Sequence, residues 1–171
     1  GQLLPTYIHS FSEWRAPLLM YVTVPTVAIF GLNAWGLRLA PALFGIASVV
    51  LIYFLATELS KNKKVGLAAM AVLALTPWHI SYSRTAYEVS LLLFLYVVGL
   101  LGFFKGLEKP KWLIVSTVAF ALTFYTYSTA TVYTPLVIIS LLALSYRAIL
   151  QISKQYLLIA ILVFVVICLP F

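Results

Sequence analysis

The fold is decided by residues 38–59, which read RLAPALFGIASVVLIYFLATEL and run directly into SKNKK at 60–64. The first stretch is almost entirely apolar, and about 20 such residues suffice for a helix to cross the hydrocarbon core of a bilayer. Apolar runs separated by short cationic loops recur along the whole chain. With 64% hydrophobic and 9% charged residues and a mean hydropathy of +1.09, the chain carries more apolar surface than a water-soluble core can use. These features predict an integral membrane protein.

The apolar runs predict an all-α, polytopic transmembrane fold with about five to six membrane helices. The expected spans lie near 38–59, 65–83, 86–104, 112–127, 131–146 and 155–171. Residues 17–31 are apolar but few, and they contain Pro25 and Gly31, which favours a helix lying in the membrane interface. We therefore expect two parts: residues 1–37 as the end of an external loop with an interfacial helix, and residues 38–171 as a transmembrane module.

The charges predict how the helices are oriented. Most of the 11 Lys and Arg residues fall in three loops that occur at every second turn: 60–64, 105–111 and 147–154. Loops rich in Lys and Arg remain in the cytoplasm, so the turns at 84–88 and 125–131 should face the outside of a plasma membrane, together with residues 1–37. This alternation argues against a crossing by 17–31. The net charge of +7 is spread along the chain, which indicates membrane lipid and not nucleic acid as a partner.

The predicted outer face carries three arginines and two glutamates: Arg15, Arg38, Arg84, Glu13 and Glu88. The cytoplasmic cations are nearly all Lys, whereas all three outer cations are Arg. The planar guanidinium group binds phosphate through two hydrogen bonds, while Lys acts as a hydrated point charge. The pattern is therefore typical of a site for a lipid-linked phosphate at the outer membrane surface.

Several of these residues also have simpler interpretations that involve no phosphate site. Arg38 at a helix start can extend its side chain to the interface, and Arg84 and Glu88 can form an ion pair on one face of a helix. His79 beside Pro77 is either a buried hydrogen-bonding residue or a ligand or base. Pro77 itself kinks or ends a helix. Other aromatic residues fit the belts that mark membrane interfaces: Tyr125, Tyr127, Trp14 and Trp112. We find no metal motif, glycine-rich phosphate loop or Ser-His-Asp arrangement in the sequence.

Three segments follow one another in a familiar order: WRAPLLMY at 14–21, FGLNAWGLRLAPALFG at 30–45 and PWHISYSRTAYEVSLL at 77–92. Their order and spacing resemble the amino-terminal half of GT-C-fold membrane glycosyltransferases. The group with this pattern includes the protein O-mannosyltransferases and the bacterial transferases that add aminoarabinose to lipid A. The resemblance covers most of residues 10–130 and implies that the chain is a fragment of such an enzyme.

The resemblance implies transfer of a hexose or pentose from a polyprenyl-phosphate donor to a protein, lipid or glycan acceptor on the external face. In this family a lysine-proline type motif near the lipid phosphate precedes a helix on the membrane surface, and residues 14–17 occupy that place with Arg15 instead of Lys. Arg15 and Arg84 would then bind the donor phosphate. Glu88 falls at the second acidic position of the family and would orient the acceptor. Further side chains that could support the site are Glu13, Tyr21, His79 and Tyr82.

The sequence departs from the family in one important respect, because it contains no Asp at all. The first external loop of such enzymes carries an Asp that acts as the base, so we expect that residue upstream of Gly1. The chain alone is then expected to be inactive. The resemblance fixes no cofactor, and it leaves open a divalent cation bound by Glu88 and His79 together with acidic residues upstream of Gly1.

Two other classes of protein are compatible with a basic inner side and a polar outer face. A multi-pass transporter or lipid flippase subunit would need charged or helix-breaking residues near the middle of the membrane. A structural or assembly subunit would not need the pair Arg84 and Glu88. The predicted spans contain few charged or helix-breaking residues near their middle, as a transporter would need. This favours the glycosyltransferase.

Overall fold

The structure is a computed structural model that describes the backbone of residues 8–10 and 13–15 and the whole of residues 17–169. In chain order the elements are β1 Ile8–Ser10, β2 Glu13–Arg15, α1 Leu18–Phe30, α2 Ala34–Ser60, α3 Lys63–Leu75, α4 Pro77–Arg84, α5 Val89–Glu108, α6 Trp112–Thr123, α7 Ala130–Leu144, α8 Tyr146–Ile149 and α9 Lys154–Cys168. A helical membrane protein is therefore the correct class.

The two strands were not expected from the sequence. β1 and β2 pair antiparallel, with Ile8 opposite Arg15 and Ser10 opposite Glu13. Each strand has only three residues, and an alternating pattern must be longer than that to be recognised. The described part of the chain is thus helical, as predicted, with one short hairpin before α1.

Two helices are long and apolar enough to cross a membrane by themselves, α2 with 27 residues and α5 with 20. α3 and α4 together form a third candidate, but they are bent by 60° at Thr76. The bend follows from Pro77, which lacks an N–H donor and holds the preceding residue in an extended conformation. The other apolar helices are shorter, so the described residues hold two spans, or three if the bent pair is one. The span count of about five to six stays a prediction.

The connection between α1 and α2 is a tight corner. Gly31 has a φ of 81°, a conformation that residues with a Cβ rarely adopt. The Asn33 side chain then accepts hydrogen bonds from the backbone N–H groups of Trp35 and Gly36 and so begins α2. The Thr26 hydroxyl donates to the carbonyl of Gly36 at 2.6 Å. With 13 residues, α1 is about 20 Å long, which is less than the hydrocarbon thickness of about 30 Å.

α5 lies at the centre of the bundle, between α2 and α6. Its contact with α6 is close because two glycines face the neighbouring helix. A Cβ atom on Gly102 would lie 2.9 Å from the backbone nitrogen of Ser116. The Ser116 hydroxyl donates in turn to the carbonyl of Gly99 at 2.7 Å. The core therefore consists of apolar side chains and a few buried hydroxyl groups around α5, of which that of Ser116 is hydrogen-bonded and that of Ser90 has no partner within the described part of the chain.

The two ends of the bundle differ in chemistry. At one end, which we call the lysine end, Lys61 pairs with Glu58 and lies 3.5 Å from Glu108. The hydrogen bond to Glu58 raises the pKa of Lys61. Lys105 lies over the ring of Trp112 at 5.1 Å. The loop after α2 and the end of α5 therefore meet at the same end, as the alternation of cationic loops predicts.

The opposite end, which we call the tyrosine end, consists of the start of α1, the 85–88 turn and the 124–129 turn. The backbone N–H of Leu18 donates to the carbonyl of Tyr125 at 3.0 Å. The rings of Tyr87 and Tyr127 lie 6.4 Å apart, so the two turns are neighbours. The hydroxyl of Tyr125 donates to the carbonyl of Ile167 near the end of α9. Of the residues named from the sequence, Tyr21 lies on α1 and Glu88 closes the 85–88 turn.

Candidate functional site

The corner between α4 and α5 holds two of the predicted site residues. α4 ends at Arg84, and the next residue, Thr85, is extended with φ −102° and ψ 153°. Glu88 occupies the N-cap position of α5. Arg84 and Glu88 therefore belong to different helices, and these two described residues form no salt bridge with each other. The interpretation that they pair on one helical face is wrong because the helix is interrupted between them.

The two charged residues differ in their exposure. Arg84 is exposed in the last turn of α4, where a positive charge complements the negative end of the helix dipole. The carboxylate residue Glu88 is only 9% exposed. The corner thus carries an exposed guanidinium group and a nearly buried acid.

Four aromatic rings form a continuous series at this end, which we call the aromatic row. The ring centroids are separated by 5.3 Å from Trp78 to Tyr82, 5.5 Å from Tyr82 to Tyr87 and 6.4 Å from Tyr87 to Tyr127. Hydrogen bonding to Tyr127 raises the pKa of Tyr87, and the negative charge of Glu88 acts in the same direction. Tyr82, predicted to support the site, is therefore part of a larger group that crosses from α4 to the 124–129 turn.

His79 lies inside the protein, with 5% of its surface exposed. One turn further along α4, the Ser83 side chain packs where a Cβ atom of Gly45 would be, so this face of α4 lies against α2. Among the described residues, no group of three or more His, Cys, Asp or Glu side chains is arranged to bind a metal. A cation site at His79 and Glu88 would therefore need further ligands from outside the described residues.

The remaining predicted site residues belong to α1 or to the hairpin that precedes it. Tyr21 is on α1 and is 36% exposed. Arg15 and Glu13 belong to β2, whose backbone is described, but their side chains lie outside the described residues. Arg38 is exposed near the start of α2. The hydrogen bond between Leu18 and Tyr125 brings the segment that follows Arg15 to the tyrosine end.

A buried set of hydroxyl groups below the 124–129 turn was missed by the sequence analysis. The Thr134 hydroxyl lies 2.6 Å from that of Thr123 and 2.9 Å from that of Tyr96. Thr126, like the two other threonines, is completely buried, and it donates to the carbonyl of Thr123. These hydrogen bonds join α5, α6 and α7. The only signal in the sequence is the cluster of hydroxyl residues at 125–131 inside an otherwise apolar stretch.

Two apolar spaces lie beside these helices. A cavity of about 400 Å3 opens among α5, α6, α7 and α9, and its lining includes Phe103, Phe120 and Phe164. A groove of about 440 Å3 between α5 and α7 is bordered by Tyr96 and by Tyr127, the last ring of the aromatic row. Through Tyr127, the tyrosine end thus borders the apolar groove between α5 and α7.

The fold and the polar end together define a helical membrane protein with a candidate site at one end of its bundle. The sequence profile of the family described as dolichyl-phosphate-mannose-protein mannosyltransferase matches residues 14–171, and the chain belongs to this family. The predicted resemblance to GT-C membrane glycosyltransferases is thereby confirmed.

Two proteins of Bacillus subtilis (strain 168) are similar to this chain. "Putative mannosyltransferase YkcB" is 30% identical over 104 residues, which is 60% of this chain and 14% of the relative. "Putative mannosyltransferase YycA" is 28% identical over 112 residues, or 64% of this chain and 16% of the relative. The chain thus matches only a small part of the length of these relatives. No solved structure matches it significantly.

Proposed function

We propose that this chain is part of an integral-membrane glycosyltransferase, called here the parent protein. This enzyme transfers a hexose or pentose from a polyprenyl-phosphate donor to a protein, lipid or glycan acceptor. The observation that carries the proposal is the family match over residues 14–171. The cationic loops at the lysine end favour a cytoplasmic position for that end, so the reaction belongs to the tyrosine end on the external face of the plasma membrane.

The proposed chemistry depends on charge that develops on the donor phosphate. As the bond between sugar and phosphate breaks, negative charge increases on the leaving lipid phosphate. An arginine held in place before the reaction stabilises this charge more in the transition state than in the ground state. We assign this role to Arg15, with Arg84 as a second candidate because it is exposed at the same end as the start of α1.

The acceptor side of the reaction needs a base and a group that orients the nucleophile. Glu88 is proposed to orient the acceptor, since it is the acidic residue at the corner between α4 and α5. The base is proposed to be an Asp upstream of Gly1, which would remove the proton of the acceptor hydroxyl group. The chain by itself would then bind donor without transferring sugar.

The assignment of the phosphate site is tested by comparing two arginines in the parent protein. We expect Arg15→Ala to lower the rate of sugar transfer by about 100-fold, the usual cost of removing one group that stabilises an anionic transition state. Arg38→Ala is the matched control, because Arg38 is an exposed residue near a helix start and should change the rate less than about twofold. The measurement is the initial rate of transfer at saturating donor, with thermal stability recorded for both variants. Equal losses in the two variants would contradict the assignment.

A further inference from the structure

The aromatic row has no part in the roles proposed so far. Its members come from α4, from the 85–88 turn and from the 124–129 turn. Trp78, at one end, is 47% exposed, and the three tyrosines are half-buried. Each residue of the row is therefore partly accessible.

The arrangement of the row differs from that of an interfacial belt. Belt residues extend separately from the perimeter of a bundle into the headgroup region. Here consecutive rings contact one another across three segments of the chain, with centroid separations of 5.3, 5.5 and 6.4 Å. Contact among the rings reduces the surface that each can offer to lipid and holds the group together as one surface.

The backbone beneath the row is fixed by hydrogen bonds. Next to Tyr127, Thr126 is completely buried and donates to the carbonyl of Thr123. On the other side, the carbonyl of Tyr125 accepts from the N–H of Leu18. Because Tyr127 is held between these contacts, the protein loses little conformational freedom when a ligand binds to the aromatic row.

We propose that the aromatic row is a binding surface for a pyranose ring. The face of an aromatic ring is negative, and the C–H groups on one face of a pyranose are made positive by the neighbouring oxygens. The hydroxyl groups at the sugar's edge can form hydrogen bonds with the tyrosine hydroxyls and with Arg84. The ring could belong either to the sugar of the donor or to an acceptor that is itself a glycan. This inference rests on the proposed function and adds a substrate-contacting surface to it.

The test measures direct binding of a free sugar to the parent protein in lipid nanodiscs, using methyl α-D-mannopyranoside and saturation-transfer difference NMR. We expect Trp78→Ala to weaken binding about fivefold, which corresponds to the loss of one favourable ring contact. Trp78→Phe keeps a ring and should restore most of the signal. Trp35→Ala is the matched control, because Trp35 is 80% exposed on α2 and should leave binding unchanged.

A second arm identifies the source of the sugar. If excess polyprenyl phosphate mannose abolishes the NMR signal of methyl α-D-mannopyranoside, the row holds the donor sugar. If the signal persists with donor bound, the row holds the acceptor glycan. Either result supports the proposal.

The proposal would be overturned if the wild-type protein, Trp78→Ala and Trp35→Ala bound methyl α-D-mannopyranoside equally. It would also be overturned if the wild-type protein did not bind this sugar. Because the NMR readout requires no turnover, it is independent of the proposed enzymatic activity. A protein that binds the sugar through Trp78 and transfers none would contradict the proposed function while leaving this inference standing.

Discussion

Thr134 shows how a single hydroxyl group can organise three helices in an apolar bundle. Its oxygen is completely buried and lies within hydrogen-bonding distance of Thr123 on α6 and of Tyr96 on α5. A buried hydroxyl group without a partner is costly in an apolar environment. The hydroxyls of these residues therefore depend on one another, and the position of α7 beside the tyrosine end depends on them.

We expect Thr134→Val to lower the free energy of unfolding by about 1–3 kcal/mol, because the shape is nearly kept but the Tyr96 hydroxyl loses its partner. Thr117→Val on α6 is the matched control. Thr117 is half-buried, and its hydroxyl has no hydrogen bond within the described part of the chain. Reversible unfolding in detergent, followed by circular dichroism, measures both variants. A loss in Thr134→Val no larger than that in Thr117→Val would contradict the importance of this network.

At the residue scale, the sequence predicted one polar region that includes Arg84, Glu88 and Tyr82, and the structure differs in how Arg84 and Glu88 are related. Spacing in the chain suggested a shared helical face for Arg84 and Glu88, whereas the extended conformation of Thr85 places them on separate helices. The approach of Tyr87 to Tyr127 was not predictable, because it depends on how distant turns pack together.

At the scale of the helices, the long apolar runs predicted α2 and α5, since a run of that length has few alternatives to a helix in a membrane. The run at 65–83 was expected as one span, yet α3 and α4 meet at a 60° bend. Pro77 gave a signal for a kink or an end. Whether this proline kinks a helix or ends it depends on the surrounding packing, which the sequence does not show.

At the contact between α5 and α6, replacing Gly102 by Ala has two opposite effects on the free energy of unfolding. Gly102→Ala would normally favour a helix by about 1 kcal/mol. The new Cβ atom, however, would lie 2.9 Å from the backbone nitrogen of Ser116, and backbone atoms can move only if the helices separate. We expect a net destabilisation of about 1–3 kcal/mol.

Gly99→Ala is the comparison for this variant, because its Cβ atom would meet the end of the Phe120 ring, also at 2.9 Å. A side chain can shift more readily than a backbone, so this variant should be destabilised less than Gly102→Ala. Unfolding in detergent measures both, and a more stable Gly102→Ala protein would show that the two helices are not closely packed.

At the scale of the whole molecule, the alternation of cationic loops predicted that 60–64 and 105–111 lie on one side, and the contact of Lys61 with Glu108 agrees with this for these two loops. The contact of Lys61 with Glu108 and that of Tyr87 with Tyr127 lie at opposite ends. The orientation in a membrane stays a prediction from the positive-inside rule. The family was recognisable from the order of three motifs, whereas the hairpin of β1 and β2 and the aromatic row appear only in the folded chain.

Sugar transfer from a lipid-linked phosphate by the parent protein can be followed with a labelled donor. The most direct measurement follows radiolabelled mannose from polyprenyl phosphate mannose during incubation of the purified parent protein with membrane acceptors. We expect label to enter the acceptor fraction as free polyprenyl phosphate accumulates in equal amount, and Arg15→Ala to slow both greatly. An intact lipid-linked sugar after incubation with folded protein, for protein, lipid and glycan acceptors alike, would contradict the proposed function.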